Sequence, residues 1–311
     1  MAWLAPMPSM AAAWPDEKPI NIIVPFAPGG FTDLAARRLA NSMGTALKAT
    51  VVVQNKVGAS GQIGTAYVAR EKPDGYTLLV SATQHVIYPA IQSKLPYNPR
   101  KDFSEIAILG YAPNLLLVLA KSPARNLQEF VELAAQQEGG MAFGSSGIGG
   151  SAHMSGELFK LTAGVNLRHV PYKSASPALA DLIGSQIPSV FQDATSAAAF
   201  IRSGELRALA VTSQERLPSL PDVPTIAESG YPSYESQAWV GLFGPAGMSP
   251  AIVDRLSRLV LDSNAEAANA KWLYDNNAIP ANLTPTQMTA FVHAELDKWQ
   301  QVVSKAQITA Q

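Results

Sequence analysis

Residues 20–38 read INIIVPFAPGGFTDLAARR. The apolar run Ile20–Val24 has no polar-facing alternation, which predicts a strand buried on both sides. It breaks at Pro28-Gly29-Gly30 and passes through Thr32 and Asp33 into an Ala-rich helical segment. That order makes a cradle for an anion. Glycine lets the backbone turn sharply, and the first turn of the following helix offers unpaired N–H groups at its positive dipole end. The same residues also suit a plain strand-to-helix turn with Thr32 as N-cap, so the rest of the chain must decide.

The chain has 311 residues, 47% of them hydrophobic, enough for two lobes of ordinary domain size. A formal net charge of −1, with Lys and Arg scattered, gives no electrostatic footprint for nucleic acid. Cysteine is absent, which excludes disulfides, thiolate metal sites and a cysteine nucleophile. The opening MAWLAPMPSMAAAW is apolar, lacks a basic residue and ends near Ala11-Ala12-Ala13, small residues of the kind that precede a signal-peptidase cut. Residues 1–17 are therefore expected to be a leader remnant or a disordered tail. The run Leu115–Ala120 is far shorter than the roughly 20 residues a spanning helix needs, so an exported, soluble protein is expected.

Strand candidates are Ile20–Val24, Val51–Gln54, Thr77–Val80, Ile106–Leu109, Leu115–Leu119, Met141–Gly144, Arg168–Val170, Ser189–Phe191 and Arg207–Val211, separated by helical periodicity. This alternation predicts an α/β protein of mainly parallel sheets flanked by helices, with ligands at the carboxyl ends of strands. Asn126/Glu129, Thr225/Glu228 and Thr284/Gln287 have capping-box spacing, and Pro177, Pro250 and Pro285 suit first helical turns. Met288, Phe291, Val292, Leu296, Trp299, Val302 and Val303 follow the spacing of a helix packed on a core. Gly110–Asn114 and the Pro-rich stretch 217–237 look like crossings between lobes. The expected division is 18–117 plus 234–311 as lobe 1 and 118–233 as an inserted lobe 2, with a cleft between them.

Two further glycine or hydroxyl-rich turns follow strands: Phe143–Ser151, FGSSGIGGS, and Val170–Pro177, VPYKSASP. Converging on one cleft, the three turns would hold one small anion. Other chemistry tests poorly. Gly58-Ala59-Ser60-Gly61-Gln62-Ile63-Gly64 fails the dinucleotide fingerprint and reads as a flexible loop, and no GxxxxGK[ST] occurs. His85, His153, His169 and His293 occur singly and read as surface or packing residues, so no metal and no cofactor is expected. Gly144-Ser145-Ser146-Gly147 is superficially like the serine loop of amidase-type hydrolases, but neither a G-x-S-x-G elbow nor an activating Lys or His is evident.

PFAPGGFTDLAARR, QNKVGASGQIG, KPDGYTLL, LPYNPRKDF, GSSGIGGSAHMSGELF, VPYKSASPALADLIG, RALAVTSQERLPSLPDVPTIAESGY and GLFGPAGMSP stand in that order. From about Lys18 onward the chain resembles the substrate-binding proteins of tripartite tricarboxylate transporters, the Bug receptors. The resemblance implies a two-lobed periplasmic-binding-protein (Venus flytrap) fold that binds without catalysis. It implies a periplasmic receptor, usually monomeric, that holds a small carboxylate between its lobes. It also implies delivery to a membrane transporter of one large and one small integral subunit. Alternatives are a serine-dependent hydrolase and a binding protein serving a sensor.

By the same resemblance, the first-lobe cradle falls on Phe26, Ala27, Pro28, Gly29, Gly30, Thr32 and Asp33; a carboxylate would repel the anion, so Asp33 is expected to cap the helix, accept from a water or orient the loop rather than face the ligand. The segment Ser81-Ala82-Thr83-Gln84-His85 matches a first-lobe contact, with Ser81, Thr83 and Gln84 as its polar groups. Ser145, Ser146 and Gly147 match the second-lobe grip, Lys173, Ser174 and Ala175 its flank, and Asp193 the end of the last strand before the hinge. Two positions depart from the family pattern: Ala27 and Ser174 stand where glycine is common. Lys173 is the one evident cation among these residues, which disfavours a tightly salt-bridged tricarboxylate.

Overall fold

The computed structural model of the protein describes residues 14–92 and 94–309; Met1–Ala13 of the expected leader lie outside the described residues. Trp14, which follows them, packs against the core of lobe 1, and Arg255 donates to its carbonyl at 3.1 Å.

Lobe 1 begins with β1 (Ile20–Val24), α1 (Phe31–Leu47), β2 (Val51–Asn55), α2 (Gln62–Ala69), β3 (Thr77–Ala82) and α3 (Gln84–Ile91). The long strand β4 (Phe103–Leu119) then leads into α4 (Leu127–Ala135), β5 (Met141–Ser145), α5 (Ser151–Ala163), β6 (Leu167–Pro171) and α6 (Ala175–Ile183). β7 (Ser189–Asp193), α7 (Ala194–Arg202) and β8 (Leu206–Val211) complete lobe 2. The chain returns through β9 (Gln237–Pro245) and ends in α8 (Pro250–Ala265), α9 (Ala267–Asp275) and α10 (Pro285–Ala306).

Among the described residues the strands follow the order β2-β1-β3-β9-β4-β7-β5-β6, with β8 also on β4. β1 runs parallel to β2 and β3, and β5 runs parallel to β6 and β7. The middle is antiparallel: β9 pairs with β3 and with the first half of β4, while the second half of β4 pairs with β7 and β8. β4 thus belongs to both lobes. The sequence suggests two strands, Ile106–Leu109 and Leu115–Leu119, with a crossing at Gly110–Asn114; instead one strand continues through that segment, shifting register between Ile108 and Gly110, and changes partners at Asn114.

Each half of the sheet is covered on both faces. Ile20, Ile22 and Val24 pack under α1 and α8, while Ile23 points the other way into the layer of α2, α3 and α10. In lobe 2, Leu116 and Val118 face α4 and α5, and Leu115 and Leu117 face α6 and α7. Such double burial explains why the strands read as apolar runs rather than alternations.

Helix ends follow the sequence closely. Asn126 accepts from Glu129 N, and Thr284 and Gln287 form a full capping box. Thr225 and Glu228 bond reciprocally, Glu228 N to Thr225 Oγ1 at 3.0 Å and Thr225 N to Glu228 Oε2 at 2.8 Å, but close a turn rather than start a helix. α1 starts at Phe31 with Gly30 as its N-cap, so Thr32 stands in the first turn and is not the cap.

A buried polar knot ties α5 to both crossing segments. Asn114 Nδ2 donates to Ser155 Oγ at 3.0 Å, Ser155 Oγ meets Ser236 Oγ at 2.8 Å, and Tyr234 OH donates to the Ser155 carbonyl at 3.0 Å. Ser236 N and Asn114 N also both bond Thr212, so the two strands are cross-linked where the chain passes between lobes.

Candidate functional site

The Ala27–Gly30 turn is exposed, and Asp33 behind it is buried at 1% exposure. Asp33 Oδ2 accepts from Gly29 N and Arg37 Nε, both at 2.9 Å, and Oδ1 accepts from Asn55 Nδ2 at 2.8 Å. Asn55 also donates to the Phe26 carbonyl at 3.0 Å. The Arg37 guanidinium, helped by the Gly29 and Asn55 donors, outweighs the cost of burial and holds the Asp33 carboxyl at about 2. Asp33 therefore orients the loop from behind, and the N–H groups of Gly30, Phe31 and Thr32 have no acceptor among the described residues.

In the segment after β3 the residues divide. Ser81 and Gln84 line a small enclosed cavity with Phe26, Ser60 and Tyr88, a space for about one water. Thr83 is 1% exposed and its hydroxyl accepts from Trp239 N at 2.9 Å, so it fastens α3 to β9 and does not reach the cleft. His85 forms the inner wall of the small cavity and packs among Tyr97, Phe103 and Phe243.

In lobe 2, Gly147 adopts φ +131° and turns the chain between β5 and α5, whose N-cap is Gly150 without a side-chain cap. Ser145 is fully buried, and its Oγ lies 2.7 Å from His169 Nε2 and 3.3 Å from Gly147 N. It shapes the loop from behind. Ser146 is half-buried beside it. Ser174 is the N-cap of α6 without a side-chain bond, and Ala175 opens that helix. Asp193 turns away: its Oδ1 accepts from Ser196 N at 2.8 Å and its Oδ2 from Ser196 Oγ at 2.9 Å, capping α7.

The two lobes meet around a cavity of about 360 Å3, lined by Ser60, Tyr88, Ile91 and Gln92 from lobe 1 and by Gly147, Ile148, Pro171, Tyr172 and Lys173 from lobe 2. Ser60 and Tyr88 also line the small cavity, so the two spaces adjoin. Phe26, Ser81, Gln84, Gly147 and Lys173 are thereby brought together. Lys173 is the one charged residue in these linings. A hollow of about 460 Å3 on the flank of α2 is larger but belongs to lobe 1 alone.

Sequence reasoning missed Ser60, Tyr88 and Tyr172 as lining residues. Ser60 carried a signal: it sits between Gly58 (φ +130°) and Gly61 (φ +94°) at φ +54°, a tight turn rather than the flexible loop expected. It also missed His169 as the partner of Ser145. That pair has the composition of a nucleophile and base, but no carbonyl carbon can reach a serine with no exposed surface, and burial holds His169 at about 3, a weak base.

The chain is similar to several known proteins. The model of the tripartite tricarboxylate transporter family receptor matches residues 35–308. Protein BugT of Bordetella pertussis is 36% identical over 301 residues, covering 95% of this chain and 91% of that protein. The structure of Rpa4515 of R. palustris with adipate superposes with a TM-score of 0.79 at 32% identity, covering 95% of this chain and 99% of that one. MatC (Rpa3494) of Rhodopseudomonas palustris with bound malate gives 0.74 at 31% identity, covering 93% and 99%.

Proposed function

The chain belongs to the tripartite tricarboxylate transporter receptor family, a family of solute-binding proteins rather than enzymes, and on that premise we propose that it captures a small aliphatic dicarboxylate between its lobes. The observation that carries this reading is the cavity shared by both lobes, with Lys173 its one cation and the Gly147 turn that leads into α5 in its wall. The adipate and malate in related structures support a dianion, whose two ends match one donor set per lobe. Ligand first engages one lobe, and donors from the other stabilise closure about β4 and the 234–237 segment. Lobe 1 is 18–117 plus 234–311 and lobe 2 is 118–233. The mature receptor works as a periplasmic monomer and hands its ligand to a transporter of one large and one small membrane subunit. Among the described residues no helix is long and apolar enough to cross a membrane.

A thermal-shift series at low salt with adipate, malate, citrate, terephthalate, aspartate and matched monoacids tests the reading. Dicarboxylates raise Tm and monoacids of equal length do not, because a missing carboxylate leaves cleft donors unpaired at about 1–3 kcal/mol each. No rise with any acid refutes it.

A further inference from the structure

We propose that His153 and His169 are positioning residues for ligand capture, a stacked imidazole pair that pins the Gly147–Gly149 loop at two points. The inference rests on the cleft reading above, because Gly147 lines the shared cavity.

The two rings come from different elements. His169 lies on β6 directly beside Phe143 of β5, and His153 lies in the first turn of α5. Their centroids are 3.8 Å apart, and the Phe143 ring caps the stack 5.0 Å from His169. The packing leaves no slack: a Cβ on Gly156 would fall 2.3 Å from the Phe143 ring, so α5 lies hard against it.

Each ring holds one end of the loop. Gly149 N donates to His153 Nδ1 at 3.1 Å, which places the ring proton on Nε2. That Nε2 faces Glu157, 3.8 Å away, and Glu157 is paired in turn with Lys160 at 2.6 Å. His169 Nε2 lies 2.7 Å from Ser145 Oγ, and the Gly147 carbonyl is 3.3 Å from the same oxygen. Ser145 Oγ thus links the His169 ring to the loop, since it also accepts the Gly147 N–H at 3.3 Å. The His153 anchor needs a neutral ring with a free lone pair on Nδ1, and burial lowers His153 to about 4 and His169 to about 3, which keeps both rings neutral. With Gly147 and Gly149 held from behind, the N–H groups of Ser151 and Ala152 at the start of α5 have no acceptor among the described residues and can take an anion.

The test uses the full chain and the variants His153→Phe and His169→Phe, which keep the stack and remove the hydrogen-bonding nitrogens, beside His153→Asn and His169→Gln, which return a polar atom near Nδ1 or Nε2. Amide hydrogen exchange without ligand reads the loop, and calorimetric titration with adipate and malate reads capture. The expected result is exchange about tenfold faster at Gly149 in His153→Phe and at Gly147 in His169→Phe, affinity down about tenfold, and partial recovery of both in the Asn and Gln variants. Unchanged exchange, or faster exchange with unchanged affinity, overturns the proposal. If the wild type binds neither acid, the ligand class is what fails, and exchange still decides whether the histidines pin the loop.

Discussion

Trp239 on β9 donates its backbone N–H to Thr83 Oγ1 at 2.9 Å, binding the residue that opens α3 to the antiparallel strand beside it. Thr83→Val keeps the shape and removes the acceptor, leaving a buried N–H unpaired. Urea denaturation should show a loss of about 1–3 kcal/mol, while titration with adipate or malate gives the wild-type affinity. Wild-type stability with weakened binding would put Thr83 in the cleft after all.

Acid should weaken the fold through buried histidines. His85 is 2% exposed, neither ring nitrogen has a hydrogen-bond partner among the described residues, and burial lowers it to about 4 from 6.5. Its folded value lies below its unfolded one, so between pH 6.5 and 4 the unfolded chain binds the extra proton and stability falls as pH falls. The full effect is on the order of 3 kcal/mol for this group. His85→Phe, placed among Tyr97, Phe103 and Phe243, removes both the titration and the unpaired nitrogens. Its denaturation midpoint should match or exceed the wild type at pH 7 and depend less on pH below 6.5. An unaltered pH profile would contradict this.

Much of this molecule is legible in its sequence because burial on both faces of a sheet leaves apolar runs, and caps leave local spacing. What was not legible has a common cause. Gly241 and Gly244 in β9 look like punctuation, yet a Cβ on Gly241 would stand 3.0 Å from Phe243 and 3.1 Å from Met288, and one on Gly244 would stand 2.0 Å from Met248. These glycines admit close side chains in a central strand, which local pattern cannot distinguish from a turn. The site follows the same rule. The Phe26–Asp33 loop and Lys173 were visible because a glycine turn and a lone cation are local features. The partners that occupy the hydroxyls of Ser145 and Thr83, His169 and Trp239, are 24 and 156 residues away, and no local pattern shows them.

Lys173 is exposed, forms no ion pair among the described residues, and is the one cation lining the shared cavity. Lys173→Met keeps the stem and deletes the charge. A charge-assisted hydrogen bond contributes about 1.5–3 kcal/mol, so affinity for adipate or malate should fall roughly 10- to 100-fold. The wild-type affinity should also drop between low and high salt more steeply than the variant's, since an exposed charge is screened. Equal affinity in both proteins at low salt would remove Lys173 from the site.

Gly149 marks where lobe 2 approaches α3. Its φ is +73°, and a Cβ there would lie 2.9 Å from Ile91 Cδ1 and 3.2 Å from Tyr88 Cε1. Gly149→Ala meets two separate obstacles: a left-handed backbone that costs an L-residue about 1–2 kcal/mol, and contact with the opposite lobe. The first acts whether the lobes are open or closed, so it lowers stability without opposing closure. The second acts only when the lobes meet. The variant should therefore bind adipate or malate several-fold more weakly and contract less on binding, as read by small-angle scattering. Adding Ile91→Ala removes the closer of the two contacts, leaving the Tyr88 ring edge at 3.2 Å and the backbone cost. The double variant should regain the contraction while keeping the lowered Tm. If it regains neither contraction nor affinity, the approach of Gly149 to Ile91 is not what limits closure.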